Sequence, residues 1–587
     1  MIKASDFVGQ YLHRRGVSHV FELVGGMITH LLDSISRQAQ IQIICCHHEQ
    51  AAGFAAEGYG RISGIPGVAL ATSGPGATNL LTAVGSCFFD STPAVFITGQ
   101  VNTHELKGER LVRQLGFQET DIVSMVRPIC KSAVQVQRVD ELPRLLHEAF
   151  ELALSGRQGP CLIDLPMNLQ AELLAADLCE QYLQLAQQSR LAATAPPVAA
   201  PSADPGPFFG RLPTVIAEAR RPLLLMGGGC AAVSNRAAAR RICRILGIPA
   251  VLSLMGVDLL PADDPLRVGF IGSYGNRWAN KALGEADLLV VLGSRLDIRQ
   301  TGADVGSFCE GKQIWQIDLD PAELGVRVQP DQQVCCSIAQ AAGWLEPLSG
   351  AFGAGHDPWL ERLAELRATY PAAREYRAEP GELNPVAVLQ RVSERIVEPC
   401  QYVTDVGQHQ MWAAQALAFG TQDRFLTSGG MGAMGFGLPT AIGAALASPE
   451  RLTLLITGDG SFQLNIQELE TLWRNRLNLK ILLFNNRCHG MVRQFQESYF
   501  AGNLQSTADG YSAPDFAAVA SAYGIPSQRL VSPETLPDAL EALLTMAGPS
   551  LLEIPLSISS RVYPKLAFGR RFGEMEPEAS PIAMEST

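Results

Sequence analysis

The sequence predicts an α/β protein of three domains, each a mostly parallel sheet covered by helices. Three observations carry that prediction. Short apolar runs such as GVALATSG and PAVFITGQ alternate with stretches of helical spacing such as HEQAAGFAAEGYGRISG, the rhythm of strand, crossover helix and parallel strand. The rhythm restarts after segments rich in Pro, Ala and Gly, which sustain neither a helix nor a strand interior. At 587 residues the chain is longer than one hydrophobic core organises.

The first domain is expected over residues 1–185 and a linker over 186–207, where LAATAPPVAAPSADPGP (Leu191 to Pro207) suits a crossing between domains. A second α/β rhythm over 208–350 has RPLLLMGGG, ADLLVVLGSR and KQIWQIDLD as strands, with Gly-rich or acidic ends where α/β sheets bind ligands. GAFGAGHDP opens the third domain, 351–555, and the tail 556–587 has weak periodicity, so it either covers a site or hangs free. A formal charge of −12 argues against a general nucleic-acid surface, which needs clustered Lys and Arg. The 13 cysteines, including Cys45-Cys46 and Cys335-Cys336, form no CxxC pair and read as buried thiols in a reducing compartment. With no leader ahead of Met1-Ile2-Lys3 and no apolar run of membrane-spanning length, a cytoplasmic protein with no membrane partner is expected.

The chemistry concentrates in GDGSFQLNIQELETLWRNRLNLKILLFNN, Gly458 to Asn486. RLTLLIT reads as a buried strand ending at Gly458, SFQLNIQELETLWRN as a helix and LKILLFNN as the next buried strand, so Asp459 and Asn486 fall at neighbouring carboxyl ends of strands. A carboxylate and an amide oxygen are hard ligands suited to Mg²⁺, and glycines beside Asp459 let a phosphate approach the backbone. The implied ligand is a diphosphate held through Mg²⁺. A plain strand-to-helix turn with Asp as a cap is the alternative for GDG alone.

GDG followed after 24 residues by NN resembles the thiamine-diphosphate motif. With DVGQHQMWAAQ, LTSGGMGAMGFGLPTAIGAALA and MVRQFQE, it resembles the acetolactate synthase large subunits over most of the chain. That resemblance implies thiamine diphosphate and Mg²⁺ as cofactors, with Asp459, Asn486 and the main-chain oxygen of Cys488 as metal ligands. It implies further cofactor contacts from Gly407, Gln408 and His409, from Gly458, Gly460 and Ser461, and from Met491. CCHHEQAAGFAAEGYGR resembles the segment whose Glu contacts the pyrimidine N1′, here Glu49, and a carboxyl group suits a proton exchange with that ring nitrogen. A helix-start Glu completing a cap is the bland alternative. Met434 matches the side chain wedged under the cofactor, and the Gly432 carbonyl would accept from its 4′-amine.

TSGPGATN, with Thr72, Ser73, Gly74, Pro75 and Asn79, resembles the loop lining the cofactor pocket, although a Gly-Pro turn can be only a turn. Phe117 and Gln118 in GFQET match a pair bordering the reacting carbons. In the middle domain MGGGC, with Gly227, Gly228 and Gly229, together with GSYGNRWANKAL, GSRLDIRQTG and the Asp318 of QIDLDPAELG, resembles the FAD-binding segments of flavin-containing members. The family pattern RFDDR stands here as Arg295-Leu296-Asp297-Ile298-Arg299, and Arg157 in SGRQGP matches an arginine that contacts the flavin nucleotide.

Two departures bear on substrate. Phe495 in MVRQFQE stands where anabolic members have a Trp associated with 2-ketobutyrate as acceptor, so that preference is not implied. The loop Gly99 to Phe117 is several residues longer than its counterpart and carries Lys107, Arg110 and Arg113, which form either a solvated basic helix or a face for an anionic acceptor. The activity implied is decarboxylation of pyruvate and transfer of the acetyl equivalent to a second carbonyl compound. Pyruvate as acceptor gives 2-acetolactate; another ketone, such as a keto-sugar nucleotide, is the runner-up, and a pyruvate oxidase shares the same fold and cofactors. The resemblance further implies a homodimer or homotetramer with active sites shared between subunits, and a separate regulatory subunit accompanies many members.

Overall fold

Strands buried on both faces read as continuous apolar runs, and runs such as Pro222–Met226 and Leu288–Leu292 are buried at every position. The computed structural model describes residues 1–192, 204–351, 356–376 and 381–582. Half of the expected linker, 193–203, and part of GAFGAGHDP therefore lie outside the described residues.

Three six-stranded parallel sheets form. The first contains β1 (His19–Leu23), β2 (Gln42–Cys45), β3 (Gly67–Ala71), β4 (Ala94–Gln100), β5 (Ser132–Gln135) and β6 (Pro160–Pro166), in the order β2-β1-β3-β4-β6-β5. The second contains β7 (Pro222–Met226), β8 (Ala250–Leu252), β9 (Arg267–Phe270), β10 (Leu288–Leu292), β11 (Gln313–Asp318) and β12 (Gln332–Cys335), in the order β9-β8-β7-β10-β11-β12. The third contains β13 (Cys400–Thr404), β14 (Arg424–Leu426), β15 (Leu452–Gly458), β16 (Leu479–Asn485), β17 (Ser527–Arg529) and β18 (Ser550–Pro555), in the order β14-β13-β15-β16-β18-β17. The outer two thus share one topology. The middle sheet, counted from its first strand, runs 3-2-1-4-5-6, the order of dinucleotide-binding sheets.

By its internal contacts the chain folds as two compact units. One gathers residues 1–192 with Ser428–Thr453 and Gln463–Leu479; the other gathers the described residues of 204–427, Leu454–Phe462 and 480–582. Four helices carry or brace the candidate site residues: α1 (Glu49–Ser63), α2 (Gln408–Ala416), α3 (Gly437–Ala447) and α4 (Gly490–Tyr499). In the first unit α1 packs on α3 through small residues. A Cβ at Gly443 would stand 1.9 Å from the Ala55 carbonyl oxygen, so only glycine permits that approach.

Two local expectations change. SFQLNIQELETLWRN is broken into Asp459–Phe462, a 3₁₀ turn Gln463–Asn465 and Glu468–Arg474, because Asn465 and Glu468 bind partners outside the helix. The basic loop forms no α-helix: it has a 3₁₀ turn, Thr103–Glu105, and is then closed by Glu119, whose two carboxylate oxygens accept from the amides of Lys107 (2.6 Å) and Leu115 (2.8 Å). The described part of the tail does not hang free. The Ser560 carbonyl accepts from Gln408 Nε2 and Arg493 Nη2, Val562 exchanges two hydrogen bonds with Gln494, and buried Arg277 donates to the Glu576 carbonyl. Among the described residues no helix is long and apolar enough to cross a membrane.

Candidate active site

In the second unit, β15 and β16 are neighbours, so Asp459 and Asn486 follow at adjacent carboxyl ends. Gln408 Nε2 donates to the Ser560 carbonyl at 2.8 Å, which turns Gln408 Oε1 toward Asn486; Asn486 Nδ2 donates to it at 2.8 Å. Asn486 Oδ1 is thereby left 3.2 Å from Asp459 Oδ1 and 2.9 Å from the Cys488 carbonyl oxygen. Rotating the Asn486 amide would put an N–H there, but would set its oxygen against Gln408 Oε1. Asn486 Oδ1 therefore has two oxygen neighbours at spacings near those of adjacent ligands around a hard octahedral cation, about 3.0 Å for metal–oxygen bonds of about 2.1 Å. The donor set is one carboxylate, one amide and one main-chain carbonyl, and no cluster of three His, Cys, Asp or Glu competes with it among the described residues.

Burial pushes the Asp459 carboxyl up to about 6, with the Tyr511 hydroxyl, which donates to Oδ2 at 3.0 Å, pulling the other way. A cation between the oxygens would favour the ionised form. The buried Cys488 thiol is raised to about 11 and is no thiolate, so only its carbonyl faces this chemistry. His409 is packed between glycines: a Cβ at Gly407 would lie 2.6 Å from its ring and one at Gly458 2.7 Å. Burial lowers its pKa to about 3, and its Nε2 has no protein partner. A neutral imidazole with an orphaned buried nitrogen fits a ligand atom that completes it. Gly460 lies against the ring of His489, Ser461 is buried, and Met491 and Phe495 lie on α4, with Phe495 partly exposed beside Tyr499 and Phe500.

In the first unit, Glu49 opens α1 and is buried. The His48 ring caps the helix by accepting from the Gln50 amide at 3.0 Å, and the Glu49 carboxylate accepts from Asn79 Nδ2 at 2.9 Å. The loop Thr72 to Asn79 thus reaches Glu49 through the Asn79 amide. Thr72 Oγ1 accepts from the Met27 amide, Ser73 Oγ is buried without a protein partner, and Pro75 starts the short helix that carries Asn79. Gly74, at φ +64°, lies against Gln118, which itself holds φ +66°, a conformation costing a non-glycine residue of order 1 kcal/mol. Phe117 beside it is exposed.

The loop bearing Gly432 and Met434 is pinned within the same unit. Asp90 accepts from the amides of Gly429 (3.1 Å) and Gly430 (2.5 Å), and Ser428 Oγ accepts from those of Gly432 and Ala433 (3.1 and 3.2 Å). Asn465 Nδ2 donates to the Gly435 carbonyl at 2.8 Å. Gly432 stands at φ +68° and Met434 is half-buried.

In the middle sheet, strand order reverses between β7 and β10. There Gly227, at the end of β7, approaches Gly293 after β10 so closely that a Cβ would stand 2.2 Å from its carbonyl oxygen; Gly228 and Gly229 continue the turn. Ser253 Oγ, just after β8, and Gln316 Oε1, on β11, are buried without protein partners, on the strands that flank β7 and β10. Asp297 caps a short helix by accepting from the amides of Arg299 and Gln300 and pairs with Arg295 at 3.4 Å; Asp318 Oδ1 accepts from the Asp320 amide. Arg157 belongs to the other unit and donates to Ser91 Oγ. Arg110 and Arg113 are exposed and Lys107 is half-buried, but the Arg110 guanidinium folds back onto the carbonyls of Leu106 and Lys107.

Sequence reasoning missed Tyr511, Asn465, Glu468 and Ser560. Tyr511 and Ser560 lie in segments without periodicity and left no signal. Asn465 and Glu468 were visible as polar residues interrupting the helix after GDG.

Family comparison agrees with this geometry. Residues 2–125 match the thiamine pyrophosphate enzyme N-terminal TPP binding domain, 211–345 the central domain and 405–554 the C-terminal TPP binding domain. The chain is 36% identical over 586 residues to acetolactate synthase 2, chloroplastic, of Nicotiana tabacum, covering 98% of this chain and 85% of that protein. It is also 36% identical to acetolactate synthase 1, chloroplastic, of Zea mays (98% and 88% covered) and to acetolactate synthase 3, chloroplastic, of Brassica napus (98% and 87%). Three consecutive domain matches and near full-length similarity leave one assignment: the chain belongs to the acetolactate synthase family of thiamine-diphosphate-dependent enzymes.

Proposed function

We propose that this carboligase takes pyruvate as donor, releases CO₂ from it and joins the remaining acetyl unit to a second pyruvate, giving 2-acetolactate. The observation that carries the reading is that Asn486 Oδ1, at the end of the third sheet, lies 3.2 Å from Asp459 Oδ1 and 2.9 Å from the Cys488 carbonyl oxygen. In this reading they hold Mg²⁺, which takes the diphosphate of the cofactor. Thiamine diphosphate, when bound, would supply a nucleophilic carbon and a sink for the electron pair left by CO₂. With the cofactor bound, Glu49 would hold and pass a proton at the pyrimidine N1′, the Gly432 carbonyl would accept from the 4′-amine and Met434 would support the cofactor, while Gln118 and Phe117 would border the substrate. Residues 1–185 serve as the pyrimidine-binding domain and 351–555 as the diphosphate-binding domain. Chelation of the metal is expected to release thiamine diphosphate during gel filtration, and added Mg²⁺ to restore retention; retention in a metal-free protein would contradict the metal assignment.

The 208–350 domain is proposed to bind FAD across the β7/β10 crevice, supported by the strand order and by the orphaned side-chain oxygens of Ser253 and Gln316 on the strands flanking it. Because the reaction is redox-neutral, the flavin has a structural role. Arg110 spent on its own loop favours pyruvate over an anionic keto-sugar acceptor. Replacing Lys107, Arg110 and Arg113 together by Gln is therefore expected to leave the pyruvate KM within about twofold. An acceptor screen with labelled pyruvate is expected to place the label in 2-acetolactate, with little preference for 2-ketobutyrate given Phe495. Dominant transfer to a keto-sugar nucleotide would overturn the acceptor assignment.

The assembly is proposed to be a homodimer or a homotetramer built from it, with Glu49 of one subunit serving the metal site of its partner; a separate regulatory chain is a further partner that the family suggests. Mixing inactive Glu49→Gln and Asp459→Ala chains under subunit exchange is expected to restore activity, because mixed dimers hold one intact site. About half the dimers are mixed at equal amounts, so recovery approaches roughly a quarter of wild type. No recovery despite demonstrated exchange would refute the shared site.

A further inference from the structure

Glu468 is wholly buried, and no arginine or lysine pairs with it among the described residues. Its carboxylate is divided between two donors instead: Oε1 accepts from the His47 amide at 2.9 Å and Oε2 from the Thr471 hydroxyl at 2.7 Å. Burying a carboxylate without a cation is expensive, and here burial raises its pKa. What the fold gains is a charge-assisted grip on the peptide of His47, two residues before Glu49. Asn465, three residues earlier and 1% exposed, donates to Gln50 Oε1 at 3.1 Å, directly after Glu49, and to the Gly435 carbonyl at 2.8 Å. One short turn, residues 465–468, thus holds the chain on both sides of Glu49 while the Glu49 carboxylate rests on Asn79.

We infer that Glu468 and Asn465 are positioning residues that set where Glu49 stands at the head of α1, acting on the reaction only through that carboxylate. The inference rests on the reading of Glu49 as the proton-exchange group. A carboxylate displaced by about 1 Å forfeits about 10²-fold in rate. Metal ligation, by contrast, belongs to Asp459, Asn486 and Cys488, and is untouched.

The test measures exchange of the C2 proton of bound thiamine diphosphate for deuterium, with Mg²⁺ present, alongside cofactor affinity by calorimetry. Glu468→Ala is expected to slow exchange about 10²-fold while the cofactor Kd stays within about threefold. Glu468→Gln, which keeps an oxygen for the His47 amide, is expected to recover most of the rate. Glu49→Gln/Glu468→Ala should exchange no more slowly than Glu49→Gln, since both act through one group. Wild-type exchange in Glu468→Ala alongside slow exchange in Glu49→Gln would overturn the inference and spare the reading of Glu49; wild-type exchange in Glu49→Gln would overturn that reading itself. Should Glu468→Ala fail to fold, Asn465→Ala decides: about tenfold slower exchange supports the brace, and an unchanged rate refutes it.

Discussion

Asp459→Ala is expected to abolish retention of thiamine diphosphate, with the Kd in saturating Mg²⁺ rising by at least about 30-fold, the scale for removing one partner of a buried charged contact. The size follows from the geometry. Asp459 is the only carboxylate among the three oxygens, so its loss leaves an amide and a carbonyl, which carry no net charge against a divalent cation. Asp459→Asn separates shape from charge: it keeps an oxygen for the Tyr511 hydroxyl but removes the charge, and affinity is expected to fall nearly as far. Calorimetric titration checks both. An Asp459→Ala protein that binds the cofactor with unchanged affinity would remove Asp459 from the metal site.

Glu49→Gln is expected to do the opposite, holding the cofactor with nearly unchanged Kd while turnover falls about 10²- to 10⁴-fold, the range for losing a positioned proton-exchange group. Gln keeps an oxygen for Asn79 and the helix start, so neither the cap made by His48 nor the loop Thr72 to Asn79 is disturbed. Only the ability to exchange a proton is lost. Steady-state rates with binding isotherms on one preparation check the prediction. Full activity would end the proton-exchange role, and equal loss of cofactor in both variants would contradict the division of labour between Asp459 and Glu49.

What the sequence made legible is what periodicity and local chemistry record. RLTLLIT and LKILLFNN announced β15 and β16, and with them the meeting of Asp459 and Asn486, because buried parallel strands are apolar throughout and their ends are punctuated by glycine and polar residues. The Gly-rich ends in the middle domain were legible for the same reason. Contacts between a side chain and a distant backbone were not. Asp90 accepts from Gly429 and Gly430, and Ser560 orients Gln408, across separations that leave no periodic trace. The charges of the basic loop could be read, but not that Arg110 turns back onto its own carbonyls, since that depends on Glu119 closing the loop. The helix after GDG was overextended because its apolar spacing is real; the side chains of Asn465 and Glu468 find stronger partners outside it.

Carbon balance from pyruvate under anaerobic conditions tests the central claim most directly. With thiamine diphosphate, Mg²⁺ and FAD supplied, two pyruvates consumed should yield one CO₂ and one 2-acetolactate, and the flavin absorbance should stay constant throughout. One CO₂ per pyruvate with bleaching of the flavin and no product bearing a new carbon–carbon bond would contradict carboligation and identify an oxidase.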